Sequence, residues 1–226
     1  MGTSQELLCR WQLLGAALGR GTADWDAAGI RLLRSWRRWP RAYHDTTHLA
    51  ACLHHLDTVQ ALQPAPLHDA QAVAMALWFH DAIYWPWSPR NEERSAEWAR
   101  RFLTAQQLPP AWVATVVQHI LATRHGPGTP PPGDAAWLVD IDLAILGQNT
   151  STYQAFERHV RREYFFVRRA RYVAGRSAVL QSFLDRPCIY ATEWFRNRYE
   201  AQARRNLVWA LEALRSGQQP GQPPRS

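Results

Sequence analysis

Lysine is absent from this chain; every one of its 26 basic residues is arginine. A total lack of one basic residue type points to genome-wide compositional bias as much as to selection for phosphate binding. The formal charge of +7 is therefore weak grounds for a nucleic-acid partner, although arginine is the better bidentate phosphate ligand. Cysteine is scarce: Cys9, Cys52 and Cys188 are odd in number and far apart, and no Cys-x-x-Cys occurs. That argues against a disulfide framework and a sulfur metal site, and for a reduced, cytoplasmic protein. No apolar run reaches the roughly 18 residues of a membrane span, so no membrane association is expected. The N-terminus has no basic region followed by an apolar core and a cleavage site, so no secretory signal is expected. Internal repeats and convincing strand patterns are missing too.

What is present is ordinary globular composition, 46% hydrophobic and 20% charged over 226 residues. The pattern predicts an all-α protein of about nine or ten helices in one compact domain, residues 1–215, with a disordered tail over 216–226. Several of the twelve tryptophans fall at helical spacing and read as core. Ser4 starts a helix that Gly19 and Gly21 end, and Asp24 is the expected N-cap of the next. Asp45 or Thr46 caps a helix running to about Leu62. Leu67 to about Tyr84 is the central, most apolar helix. Asn91 is the expected cap of another, and Trp112 to Thr123 follows. Asp134 caps an apolar segment ending at Gly147. Thr150 or Ser151 begins a long stretch to about Leu184, with a break expected at Ala174-Gly175. A last helix runs from Thr192 to about Leu214.

Polar groups inside apolar helices carry the chemistry. His80 and Asp81 close the central apolar run, and burying an imidazole and a carboxylate is costly unless they are paired or bind a metal. Adjacent helical residues point about 100° apart. The pair therefore cannot bond edge to edge, but both can lean toward one object, most simply a divalent cation. His48, His119 and Asp140 or Asp142 also interrupt apolar helices. Imidazoles and carboxylates form a nitrogen and oxygen set that suits Mn²⁺, Fe²⁺, Mg²⁺, Zn²⁺ or Ni²⁺.

The order His48, His80-Asp81, then a late Asp resembles the HD-domain superfamily of metal-dependent phosphohydrolases, and more closely its branch of small predicted HD phosphohydrolases. The resemblance rests on Arg41-x-Tyr43-His44-x-x-x-His48, Trp78-Phe79-His80-Asp81-x-x-Tyr84 and Asn91-Glu92-Glu93-x-Ser95-Ala96. It continues through Thr123-x-His125, Asp140-x-Asp142-Leu143-Ala144-Ile145-Leu146-Gly147, Arg162-Glu163-Tyr164 and Gly175-Arg176, and covers roughly residues 30–210. It implies an HD-type helical domain whose core binds a divalent cation through His48, His80, Asp81 and the late Asp. Asp142 aligns best with the family pattern; Asp140, nearly as apolar in its surroundings, would then orient a ligand imidazole.

The implied reaction is hydrolysis of a phosphate ester, a nucleotide or a related small phosphorylated metabolite, by metal-activated water. Asp81 would position the water, and His119, His125 or Glu92 would move protons. Arg124, Arg162 or Arg176 would hold phosphate oxygens, and Tyr43 and His44 would line the pocket. Two other readings compete. The domain could be a metal- or nucleotide-binding regulatory module. It could also bind nucleic acid through Arg158 to Arg176, where Tyr164, Phe165, Phe166 and Tyr172 interleave with arginines. His44-Asp45-Thr46-Thr47-His48 also has the His spacing of a metalloprotease helix, but that leaves His80-Asp81 unexplained.

Overall fold

A computed structural model describes residues 4–124 and 131–216. His125 and the tail from 217 onward lie outside the described residues. Those described form ten α-helices and one 3₁₀ helix, with no strand among them, so the protein is all-α. Two compact units are formed: described residues 4–124 and 131–141 in the first, and 142–216 in the second.

The first unit contains α1 (Ser4–Ala17), α2 (Ala23–Trp36), α3 (Thr46–Gln60), α4 (Ala70–Phe79), α5 (Asn91–Ala105) and α6 (Pro110–Ala122). It also holds all of α7 (Asp134–Asp142) except the last residue. Its axis is α4, which buries Ala72, Val73 and every residue from Met75 to Phe79. A helix apolar on every side has to be surrounded, and α4 packs against α1, α3, α5 and α6. The α1–α2 pair is locked by a reciprocal exchange. Trp11 Nε1 donates to Trp25 O at 2.8 Å, and Trp25 Nε1 donates to Trp11 O at 3.0 Å. The two rings stack with centroids 4.7 Å apart. Each indole lies where the glycine one turn beyond the other would carry a Cβ: Gly15 meets Trp25, and Gly29 meets Trp11.

Helix ends differ from the sequence expectation where side chains are committed elsewhere. Thr22, not Asp24, caps α2, accepting from Trp25 N at 3.2 Å. The central helix starts at Ala70 rather than near Leu67, because Asp69 caps it through Ala72 N at 2.9 Å. Asp134 in turn accepts from His68 N and Asp69 N at 2.9 and 2.8 Å. That helix also ends early, at Phe79, because α5 captures the chain beyond His80. Asn91 accepts from Trp85 N at 3.1 Å and donates to Trp85 O at 2.9 Å, and Ser95 Oγ accepts from Ile83 N at 3.0 Å. Asn91 is thus the first residue of α5 rather than its cap.

The second unit holds the 3₁₀ helix Leu143–Gly147, α8 (Thr150–Glu163), α9 (Arg169–Leu184) and α10 (Glu193–Arg215). Its long α10 packs on the 3₁₀ helix, α8 and α9. Asn206 Nδ2 donates to Leu146 O and Gln148 O, both at 2.8 Å, which ties the 3₁₀ helix to α10. A side chain at Gly147 would collide with Tyr199 and Tyr190. The break expected at Ala174-Gly175 falls instead between α8 and α9, where Arg161 donates to Tyr164 O and Val167 O and closes the turn.

Candidate metal centre

The first unit builds the site from the start of α3 and the end of α4. Asp45 caps α3, accepting from Thr47 N at 2.7 Å and His48 N at 3.3 Å. That fixes His48 in the first turn, with its imidazole buried. His80 is the C-cap of α4 and is 1% exposed. Its Nδ1 lies 2.9 Å from Leu77 O. A carbonyl oxygen only accepts, so Nδ1 carries a proton, and in the neutral ring Nε2 is the acceptor. His80 Nε2 lies 3.3 Å from His48 Nε2, within hydrogen-bond reach. Trp36 backs both rings, with centroids 6.2 Å from His48 and 5.4 Å from His80. Its own Nε1 donates to Trp78 O at 3.1 Å.

Cys52 adds a third donor. His48, Cys52 and His80 each offer one ligand atom, and these atoms all lie within 4.8 Å of one another. The spacing of the two imidazoles is compatible with a divalent ion. With metal–nitrogen bonds of about 2.0–2.1 Å at a tetrahedral angle, two ligand nitrogens should stand about 3.3–3.4 Å apart. The His48–His80 separation of 3.3 Å meets that requirement. A fixed tautomer on a ligand imidazole, here set by Leu77 O, is the usual companion of a metal-binding His.

Two of the sequence-expected ligands, His48 and His80, therefore come together within the first unit, and Asp142 is the first described residue of the second. Asp81, the fourth, is not in that cluster, but its Oδ2 is 3.5 Å from His80 Nε2 and its side chain is 14% exposed. Asp140 is fully buried, whereas Asp142 is half-buried. Cys52 has no cysteine partner in sequence to mark it, yet it stands four residues after His48 on α3 and so shares its face.

The groups expected around the ligands divide. Tyr43 packs on His48 with ring centroids 4.8 Å apart, and His44 stacks on Tyr84 at 4.2 Å. Arg41 holds this wall together: it donates to His44 O at 2.6 Å, Asp81 O at 2.7 Å and Ala82 O at 3.2 Å. His119 lies elsewhere. It is buried on α6 beside Asp69, Ala72 and Asp134, at the start of α4. Eight residues of helical rise, about 12 Å, separate Ala72 from His80. Burial pushes the His119 imidazole below its ordinary range, against the pull of Asp134 and Asp69. Glu92 sits half-buried in the first turn of α5. Arg124 pairs with Glu93 at 2.7 Å. Glu93 lines a cavity of about 350 Å³ with Ile83, Arg90 and Trp98, and no expected metal ligand lines it.

In the second unit, Arg162 is exposed at the end of α8. Arg176 is occupied by structure. It bonds Glu157 through two nitrogens, at 2.5 and 3.1 Å, and Glu157 is fully buried and accepts from Tyr153 OH at 2.8 Å. Burial alone would lower the Arg176 pKa, but the Glu157 charge and hydrogen bonds outweigh it and raise it. Its guanidinium is committed to a buried carboxylate rather than offered to a phosphate.

No protein-family model, curated protein or solved structure matches the chain. No helix among the described residues is long and apolar enough to cross a membrane.

Proposed function

We propose that this chain is a metal-dependent phosphohydrolase of the HD type, acting on a nucleotide or other small phosphorylated metabolite in the cytoplasm. The observation that carries the reading is the buried pair of imidazoles, His48 and His80, with Nε2 atoms 3.3 Å apart and one tautomer fixed. Two Nε2 atoms at that distance share one N–H···N hydrogen bond or, once that proton leaves, one cation. His48 and His80 hold it. A divalent ion there supplies Lewis acidity, lowering the pKa of water and polarising a phosphoryl oxygen. Asp81, partly exposed beside His80, orients the attacking water and accepts its proton. Tyr43 and His44 line the approach and limit entry of bulk water. The test is hydrolysis of a panel of nucleotides and simple phosphate esters with added Mn²⁺, Mg²⁺ or Zn²⁺. Turnover that chelator abolishes and the same metal restores supports the reading. No turnover of any phosphate ester in any metal contradicts it.

A second reading, nucleic-acid binding, is favoured by the second unit. Between residues 158 and 184 the only acid is Glu163, and it is fully buried. Arg158, Arg162, Arg168, Arg169 and Arg171 are exposed, as are Phe165 (55%) and Phe166 (44%). Cationic and aromatic groups together suit a single strand. Affinity for an oligonucleotide that falls steeply with salt would favour this reading.

A further inference from the structure

We infer that Cys52 supplies a thiolate ligand at the His48–His80 centre, which therefore selects a thiophilic ion such as Zn²⁺, Fe²⁺ or Co²⁺ over Mg²⁺. The inference rests on the metal centre proposed above and concerns which of this chain's own side chains complete it.

Three observations converge on Cys52. Its position on α3 is one turn beyond His48, so both side chains lie on one face. The residue is 1% exposed, and both imidazoles are buried as well. Its Sγ lies 3.7 Å from His48 Nε2, and the ligand atoms of His48, Cys52 and His80 all lie within 4.8 Å of one another. Tetrahedral angles with metal–nitrogen bonds of about 2.0–2.1 Å and metal–sulfur bonds of about 2.3 Å require nitrogen–sulfur separations of about 3.6 Å. One geometry thus accounts for both observed separations, nitrogen to nitrogen and nitrogen to sulfur.

The chemistry follows from the donor set. When the ion binds, the Cys52 thiol releases its proton to solvent and its sulfur donates a lone pair. Soft sulfur favours Zn²⁺, Fe²⁺ and Co²⁺ and gives little to hard Mg²⁺, which prefers oxygen ligands. With sulfur as a ligand, the Asp81 carboxylate need not close the coordination shell and is left to handle a proton. The competing explanation is a buried thiol that only packs on the His48 ring, since Sγ is also 3.8 Å from Nδ1.

Titration of the full chain with Co²⁺ in the absence of oxygen separates these. The background is a Cys9→Ser/Cys188→Ser chain, so that Cys52 is the only sulfhydryl left. The expected result is stoichiometric binding, visible as cobalt ligand-field bands, together with a near-ultraviolet thiolate-to-cobalt charge-transfer band. Cys52→Ala in the same background should keep ligand-field bands and lose the charge-transfer band. If that variant does not fold, the single-cysteine chain alone decides. Ligand-field bands without a charge-transfer band overturn the thiolate ligand and leave the metal centre standing. No cobalt binding at all overturns both.

Discussion

The Nε2 atoms of His48 and His80 face each other at 3.3 Å, although 32 residues separate them in the chain. One lies in the first turn of α3, and the other caps the end of α4. Neither helix end places its imidazole alone. Asp45 fixes the first by capping, and Leu77 O fixes the tautomer of the second. Arg41 then ties the two segments together through three backbone carbonyls.

Arg41 should therefore act on the metal centre without touching the ion. Hydrogen bonds from a charged donor contribute about 1.5–3 kcal/mol each, and a Gln amide can replace at most one of the three, so Arg41→Gln should cost about 3–6 kcal/mol of stability. Metal affinity should fall with it, because His44 and Asp81 lose their common brace. Arg41→Lys should not rescue it, since an ammonium cannot span three carbonyls as a guanidinium fork does. Urea denaturation and metal titration of both variants test this; unchanged affinity in Arg41→Gln would remove Arg41 from the account.

Arg176 should behave as a structural ion. Removing one partner of a buried pair leaves an uncompensated charge and costs roughly 3–5 kcal/mol. Arg176→Met should show a loss of that size, and Glu157→Gln/Arg176→Met a smaller one. Thermal or urea denaturation decides. A stable Arg176→Met chain with an impaired KM for a phosphate ester would return Arg176 to a substrate role.

His119 sets a pH dependence. Burial lowers its folded pKa below the ordinary value of 6.5. Below about pH 6.5 the unfolded chain takes up a proton there that the folded chain refuses, so unfolding gains. Stability from this residue is fully present above that pH. It is lost progressively as pH falls toward the depressed folded value. His119→Gln should flatten this part of the stability–pH curve while leaving metal content unchanged. A variant curve parallel to the parent's would show that the residue does not titrate as its burial dictates.

Much of this was legible in the sequence, and the exceptions have physical causes. Apolar stripes with glycine or proline at their ends marked the helices, and an all-α fold followed. His48 and His80 stood out because imidazoles inside apolar runs need a partner. The early end of α4 was hidden, because Asn91 and Ser95 of α5 hold the chain beyond His80, and long-range capture leaves no local signal. Cys52 carries no Cys-x-x-Cys signal; its only local mark is a mixed His-Cys step of four residues. The Arg176 partner lies 19 residues upstream, beyond any helical spacing. His119 shared the composition of the site but sits at the other end of α4.

The most direct measurement is metal content by mass spectrometry of the purified chain beside His80→Ala, with Asp142→Asn and Asp140→Asn as companions. About one equivalent of a transition metal is expected in the parent and little in His80→Ala, whose helical circular dichroism should stay near the parent's. Asp142→Asn should lose more metal than Asp140→Asn. Full metal occupancy in His80→Ala, or no metal in the parent after incubation with Mn²⁺, Zn²⁺ and Mg²⁺, would contradict the account.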